Sequence, residues 1–155
     1  MLNRRRFIAL ATMALATAPT AGCSARNERF DPPLYPNETP ELRRLINQYA
    51  DHYEVPRSLV HRVVIRESRH RPGAMNKPYY GLMQILPATA RSMGFRGKPT
   101  DLLDAETNLK YAVKYLRGAW MVSDGSQDAA VRWYASGYYY EAKRRGLLKQ
   151  TGLVS

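Results

Sequence analysis

Residues 81–90 read Gly-Leu-Met-Gln-Ile-Leu-Pro-Ala-Thr-Ala, and this stretch divides the chain into two groups of helical patterns. It follows a connector at 73–81 whose Gly, Asn and Pro residues favour turns. Its own proline begins a short helix, predicted around 87–93 and closed by Gly94. The stretch is therefore expected to lead from a turn into a short helix on the surface.

Two longer helices are predicted on the N-terminal side. Thr39 is a suitable N-cap with Pro40 at the first helical position, and Pro56 suits the start of the second helix. Pro72 and Gly73 mark the end of that second helix. Helical spacing joins Leu42, Leu45, Ile46, Tyr49 and Tyr53 in the first helix, and Leu59, Val60, Val63 and Val64 in the second. Both helices are expected to bury these faces.

Three helices are predicted on the C-terminal side. Asp104 caps a long helix that ends near residues 124–125, Ser126 caps a helix that ends at Gly137, and a basic helix at about 138–145 reaches Gly146. No segment has the alternation of a strand. The predicted fold class is therefore all-α, with at most one small hairpin.

Length and charge limit the number of domains and the kind of partner. A chain of 155 residues with 45% apolar content is long enough for one domain with its own core. The formal net charge of +11 implies an anionic partner, which could be nucleic acid, a membrane surface or a cell-wall polymer. The three arginines among residues 1–23 account for part of this charge, and +8 remains without them.

Residues 1–23 are predicted to be a signal peptide. Arg4, Arg5 and Arg6 precede an apolar stretch too short to span a membrane comfortably, and they resemble a twin-arginine export signal, with general secretion as the alternative. Cys23 follows small residues, as in bacterial lipoproteins, but Thr20 departs from that motif. A lipid-anchored and a soluble exported product both stay open. A Pro-rich tether is predicted at 24–40, and the domain at 41–150.

Glu67 is the first candidate for chemistry. It lies four residues after Val63 and three after Val64, so it extends the buried face of its helix. Burial would raise the pKa of its carboxyl group, as a general acid requires. The alternative is a glutamate that turns outward to a neighbouring arginine.

Residues 68–100 contain no Asp or Glu, although most glycosidases use two carboxylates. A partner acid would have to come from Asp101 onward or from the tether. A single acid can still cleave a glycosidic bond if the substrate supplies the nucleophile, and muramic acid has a C6 hydroxyl that can attack its own C1.

Several segments, in order, resemble the soluble lytic transglycosylase family. They are Glu67-Ser68, the ten residues at 81–90, Asp-Leu-Leu-Asp at 101–104, Asn108-Leu109, Tyr115-Leu116, and Tyr-Ala-Ser-Gly at 134–137. Together they cover about residues 41–146. A random chain would rarely match all of them in this order.

The resemblance implies a lysozyme-like helical fold with Glu67 at the edge of a glycan-binding cleft. By the family's chemistry, Glu67 first protonates the glycosidic oxygen between N-acetylmuramic acid and N-acetylglucosamine. It then takes the C6 hydroxyl proton, which leaves a 1,6-anhydro ring. Ser68 would orient the helix end, Gln84 would bond sugar groups, and Tyr134 would point its hydroxyl towards Glu67, although a core tyrosine is the alternative. Tyr115 is a candidate for the cleft wall, and Asn108 for holding the long helix.

Two segments depart from the family pattern. Residues 75–80 read Met-Asn-Lys-Pro-Tyr-Tyr where many members have Ser and then Gly-Ala. Asn76 could replace the missing hydroxyl as a donor, and Tyr79 or Tyr80 could stack on a sugar ring. Ala135 stands where the family commonly has asparagine, so the amide is missing at that position.

Other functions remain as alternatives. A hydrolytic muramidase would share the fold and the acid, whereas a non-catalytic wall-binding lipoprotein would not need Glu67. Export argues against a nucleic-acid partner. No cofactor is predicted, and no metal site, because the nine-residue spacing of His52, His61 and His70 does not place them on one helical face. The expected partner is the glycan strand of peptidoglycan in the periplasm or cell envelope, with a lipid anchor through Cys23 or an envelope machine as further partners.

Overall fold

The computed structural model describes residues 32–154. The predicted signal peptide at 1–23, Cys23 and the first residues of the predicted tether lie outside the described residues. Of the described helices, none is long and apolar enough to cross a membrane.

The first helix, α1, spans Pro40–His52 and begins as the sequence predicts. The Thr39 side chain accepts a hydrogen bond from the Leu42 N–H at 3.1 Å, which satisfies one free donor of the first turn. The residues before it also contact the domain. The Arg43 side chain donates to the Pro33 carbonyl at 3.1 Å, and Glu38 is buried. The end of the predicted tether therefore packs against the helices instead of standing away from them.

The second helix, α2, spans Arg57–Ser68. The predicted apolar face of this helix is confirmed, since Leu59, Val60, Val63 and Val64 are all buried. Arg69 and His70 then adopt left-handed backbone conformations with φ of 51° and 57°. The chain therefore reverses direction immediately after Ser68, and Glu67 lies in the last turn of the helix.

A small hairpin follows this reversal. Its strands are β1, Met75–Asn76, and β2, Tyr79–Tyr80, which pair antiparallel with Met75 opposite Tyr80. The helix α3 spans Pro87–Ser92, and a 3-10 helix spans Pro99–Leu103. Both lead into the longest helix.

That helix, α4, spans Ala105–Met121 and packs against α1, α3 and the 3-10 helix. It is followed by α5, Gln127–Ser136, which also packs on α4, and by α6, Tyr139–Arg144. The predicted caps are confirmed, because Asp104 accepts from the Thr107 N–H and Ser126 accepts from the Ala129 N–H. The core centres on α4, where Leu109, Ala112, Val113 and Leu116 are fully buried.

The described part of the chain is thus mainly helical, with one two-stranded sheet. The predicted all-α class with at most a small hairpin is confirmed. The hairpin lies beside the end of α2, so it forms a wall next to Glu67.

Candidate active site

A cavity of about 1000 Å³ opens at the C-terminal end of α2. Its walls come from the segment before α1, the end of α2, the turn after it, the hairpin, the turn after β2 and the end of α5. The lining residues are Asn37, Arg66, Glu67, His70, Arg71, residues 72–75, Asn76, Tyr79, Gln84, Tyr134 and Ala135. This volume is at the upper end of the range of about 300–1000 Å³ that is typical of small-molecule sites.

Glu67 lies in this wall with 24% of its side chain exposed. Burial raises the pKa of its carboxyl group, and the Arg66 guanidinium, 3.5 Å away, acts in the opposite direction with a smaller effect. The alternative prediction was that Glu67 turns outward to a neighbouring arginine, and Arg66 is such an arginine. Because more than half of the Arg66 side chain is exposed to water, this ion pair is weak. Glu67 therefore combines access to the cavity with a raised pKa.

No second acid lines the cavity in the described part of the chain. Glu38, the buried acid on the tether side, is bonded to Arg43 and does not line the cavity. The paired arrangements of glycosidases place their carboxyl groups about 5–5.5 Å or 6.5–9.5 Å apart. None of the described lining residues can serve as the second member of such a pair.

Hydrogen bonds from Asn108 on α4 hold the turn that carries Gln84. Gly81 has φ of +76° and lies so close to Asn108 that a Cβ atom there would overlap the amide group. Asn108 is fully buried, and its amide accepts from the Met83 N–H at 2.9 Å and donates to the Tyr80 and Leu102 carbonyls at 2.8 Å each. Asn108, which was expected to hold the long helix, thus anchors this turn to α4.

The Gln84 side chain lines the cavity, as predicted. Its amide nitrogen donates to the Ala74 carbonyl at 3.0 Å and the Gly81 carbonyl at 2.8 Å. These bonds hold the turn against the hairpin, and they use both protons of the amide nitrogen. The amide oxygen is the group that remains to accept a hydrogen bond from a ligand.

Tyr134 lines the cavity from α5, and its hydroxyl donates to the Met83 carbonyl at 2.9 Å. Burial raises the pKa of Tyr134 well above its usual value, and the negative charge of Glu67 adds to this effect. This hydroxyl, which was expected to point towards Glu67, bonds the Met83 carbonyl, and both Tyr134 and Glu67 line the cavity. Tyr115 does not line the cavity; its ring packs edge-on against Tyr134, with the ring centres 5.5 Å apart.

The remaining predicted residues divide between the cavity and its support. Asn76 and Tyr79 line the cavity from the hairpin and are exposed, whereas Tyr80 is half-buried and packs against the core. Ser68 is buried and does not line the cavity. Its hydroxyl donates to the Val64 carbonyl at 3.3 Å and accepts from the Arg71 N–H at 3.4 Å. It therefore stabilises the helix end next to Glu67.

Sequence reasoning missed Asn37 and His70 in the wall. Asn37 belongs to the segment predicted as a tether, and it reaches the cavity because its amide donates to the Arg69 carbonyl at 3.2 Å. The nine-residue spacing of His61 and His70 predicted that they do not share a helical face, and therefore no metal site. His70 still lies near His61, because it follows the end of α2, where the chain turns back, and their rings are 6.0 Å apart. Burial lowers the pKa of His70, and the Glu38 charge opposes that shift.

Comparison with known proteins identifies the chain. The family model described as Transglycosylase SLT domain matches residues 44–149, which is more than half of the chain. The chain belongs to this family. The SLT domain spans α2, the hairpin and the Gln84 turn, so all the residues of the wall except Asn37 fall within the match. No solved structure matches the chain.

Membership in the SLT family supports peptidoglycan degradation of the lytic transglycosylase type. It implies an enzyme that acts on the glycan of peptidoglycan.

Proposed function

We propose that this SLT domain cleaves the β-1,4 bond between N-acetylmuramic acid and N-acetylglucosamine and leaves 1,6-anhydro-N-acetylmuramic acid ends. The observation that carries the proposal is a single, half-buried carboxyl group, Glu67, in a cavity that has no second acid among the described lining residues. A hydrolase of the usual two-carboxylate kind would need a base or a nucleophile in addition to this acid.

In the first step, the Glu67 carboxyl group donates its proton to the glycosidic oxygen. The C1–O bond to the leaving sugar breaks, and positive charge develops at C1. The raised pKa supports this role, because more of the acid form is present near neutral pH.

In the second step, the C6 hydroxyl oxygen of the same muramoyl residue attacks C1. Glu67, now a carboxylate, takes the proton that this hydroxyl loses. The new C6–O–C1 bond closes the anhydro ring, so Glu67 ends in its starting state and no water is consumed. The sugar's own hydroxyl is tethered next to C1, which favours it over a free water molecule.

Substrate binding is proposed for the groups that face the cavity. Gln84 and Asn76 both line the cavity, so the Gln84 amide oxygen would accept from an N-acetyl N–H or a hydroxyl group, and Asn76 would donate from the hairpin. The exposed ring of Tyr79 offers a face on which a sugar can stack. Arg66 and Arg71 add positive charge at the same wall, which suits the stem-peptide carboxylates of peptidoglycan.

The proposal also places the enzyme in the cell envelope. Export would depend on residues 1–23, and lipidation of Cys23 would hold the domain at a membrane beside the wall. The basic charge of +8 that remains after residue 23 would favour contact with anionic wall polymers.

Digestion of purified peptidoglycan by the full chain, followed by mass spectrometry of the fragments, tests the reaction. Anhydro ends, lighter than reducing ends by one water, are expected. Reducing ends would assign the protein as a hydrolytic muramidase. Tight binding to intact, uncleaved peptidoglycan would assign it as a wall-binding protein.

Two variants test the site. Glu67→Gln keeps the shape of the side chain but removes its titratable proton, and we expect at least a hundredfold loss of product formation. Glu54→Gln is the matched control, because Glu54 is exposed and does not line the cavity. Full activity of Glu67→Gln would show that the acid has been assigned to the wrong residue.

A further inference from the structure

Glu38, His61 and His70 meet at the wall of the cavity, to which only His70 of the three belongs, although they come from three separate segments. Glu38 precedes α1, His61 lies on α2 and His70 follows the reversal after α2. The Glu38 Oε1 atom is 3.6 Å from His61 Nδ1 and 3.6 Å from His70 Nε2. One ligand atom from each residue lies within 4.8 Å of the others.

His70 is the unusual member of this cluster. Its side chain is 0% exposed, and neither ring nitrogen has a hydrogen-bond partner among the described residues. A buried imidazole normally has both nitrogens bonded, because an unsatisfied polar atom in the interior is unfavourable. Its Nε2 atom lies 3.6 Å from Glu38 Oε1, the oxygen that also approaches His61. The ring is therefore oriented as a ligand of something bound between the three residues.

The other two side chains are held in place by neighbours. His61 Nε2 lies 2.9 Å from the Asn47 side-chain oxygen. In the tautomer that donates from Nε2 to this oxygen, Nδ1 is the ring nitrogen that can bind a metal ion. Glu38 Oε2 accepts from the Tyr35 N–H at 2.8 Å and from Arg43 at 2.7 Å, while Oε1 accepts from Arg43 at 3.0 Å. Outer contacts of this kind fix the orientation of metal ligands.

We infer that Glu38, His61 and His70 bind one divalent transition-metal ion of the Zn²⁺ type. Two imidazole nitrogens and one carboxylate oxygen are a donor set of three-ligand zinc sites. Ligands at about 2.0–2.1 Å from a tetrahedral zinc ion are about 3.4 Å apart. The distance from Glu38 Oε1 to each histidine nitrogen is close to this value at 3.6 Å, and all three ligand atoms lie within 4.8 Å of one another. Small movements of the three side chains are enough to close the site.

The same donor set selects the metal. Glu38 is already paired with Arg43, which offsets its negative charge. Metal binding would therefore depend mainly on the nitrogen lone pairs of the two imidazoles. Mg²⁺ and Ca²⁺ prefer several oxygen ligands and are disfavoured here. The bound ion would fasten the segment before α1 to α2 and to the turn at His70, and so support the wall that contains Glu67.

Zinc titration of the chelator-treated full chain by calorimetry tests this inference. We expect one Zn²⁺ per chain, no binding of Mg²⁺ at the same concentration, and a higher melting temperature with Zn²⁺. His61→Gln and His70→Gln should each weaken Zn²⁺ binding at least a hundredfold. His52→Gln, which changes an exposed histidine at the end of α1, should bind as the wild type does.

A measurement on the wild-type protein covers the case in which a variant fails to fold. One equivalent of Zn²⁺ should shift the NMR signals of the imidazole nitrogens of His61 and His70 and leave those of His52 unchanged. The inference is overturned if the wild type binds no Zn²⁺, if His52 responds instead, or if His70→Gln binds with wild-type affinity. These readouts do not depend on the reaction at Glu67, so this inference and the proposed function can fail separately.

Discussion

Replacing Asn108 with alanine is expected to lower the free energy of unfolding, because Asn108 holds the turn that carries Gln84. The substitution leaves the Met83 N–H without its acceptor and removes one donor each from the Tyr80 and Leu102 carbonyls. Tyr80 keeps a second partner, because its carbonyl also accepts from the Ile85 N–H at 3.1 Å. A buried donor left unsatisfied costs about 1–3 kcal/mol, and each lost carbonyl bond about 1 kcal/mol.

The free energy of unfolding should therefore fall by about 3–5 kcal/mol, which lowers the melting temperature by roughly 10–20 °C for a domain of this size. Urea denaturation measures the loss directly, with an unchanged m-value if the folded and unfolded states keep their exposed areas. Lys110→Ala, an exposed change on the same helix, should stay within about 0.5 kcal/mol of the wild type.

Asn108→Asp separates hydrogen bonding from packing. The aspartate has nearly the same shape but, as a carboxylate, it cannot donate to the two carbonyls. It should be at least as destabilised as Asn108→Ala at neutral pH. A loss below about 1 kcal/mol for either variant would refute the view that the amide anchors the turn.

Three further changes are predictable. Gly118→Ala should cost about 1–3 kcal/mol in urea denaturation, because the new methyl group overlaps the Tyr138 ring, whereas Gly73→Ala, with open space around it, should be neutral; equal effects would contradict this. Burial raises the pKa of Glu67 in the folded state, so the wild type loses stability as pH rises from the unfolded-state pKa to the folded-state pKa. Glu67→Gln should therefore be more stable than the wild type at neutral pH, and this gain should disappear below about pH 4. A gain that persists below that pH would count against the burial effect. Tyr134→Phe loses a buried hydrogen bond to a main-chain carbonyl, so denaturation should show a loss of about 1 kcal/mol and fragment analysis a slower digestion; unchanged values of both would remove Tyr134 from the site.

Much of the fold could be predicted because its signals are local. The caps at Thr39, Asp104 and Ser126 each bond an N–H only three residues away, so the residue type and its position are sufficient. The buried face of α2 follows from helical periodicity in the same way. The short hairpin was predicted only as a connector, since two-residue strands have no alternation that a pattern can detect.

The candidate site was predictable in its main carboxylate and less so in its surroundings. Glu67 continues an apolar face, which predicts partial burial, and the structure shows both the burial and the raised pKa of its carboxyl group. Tyr115 was expected in the cleft wall but lies behind it, and Ser68, which was expected to orient the helix end, also lies outside the lining. Helical spacing predicts which face of its own helix each residue lies on. It does not predict whether the side chain reaches the surface of the cavity.

The sequence by itself determined the helices, their N-caps, the place of Glu67 at the end of the apolar face of α2 and the family to which the chain is similar. These depend on contacts between residues three or four apart and on a long ordered motif. Only the tertiary structure decided that the Tyr134 hydroxyl bonds Met83, 51 residues away, and that Glu38 joins His61 and His70. Such contacts depend on how the helices pack and on the reversal of the chain after Ser68, and no spacing within one segment encodes them.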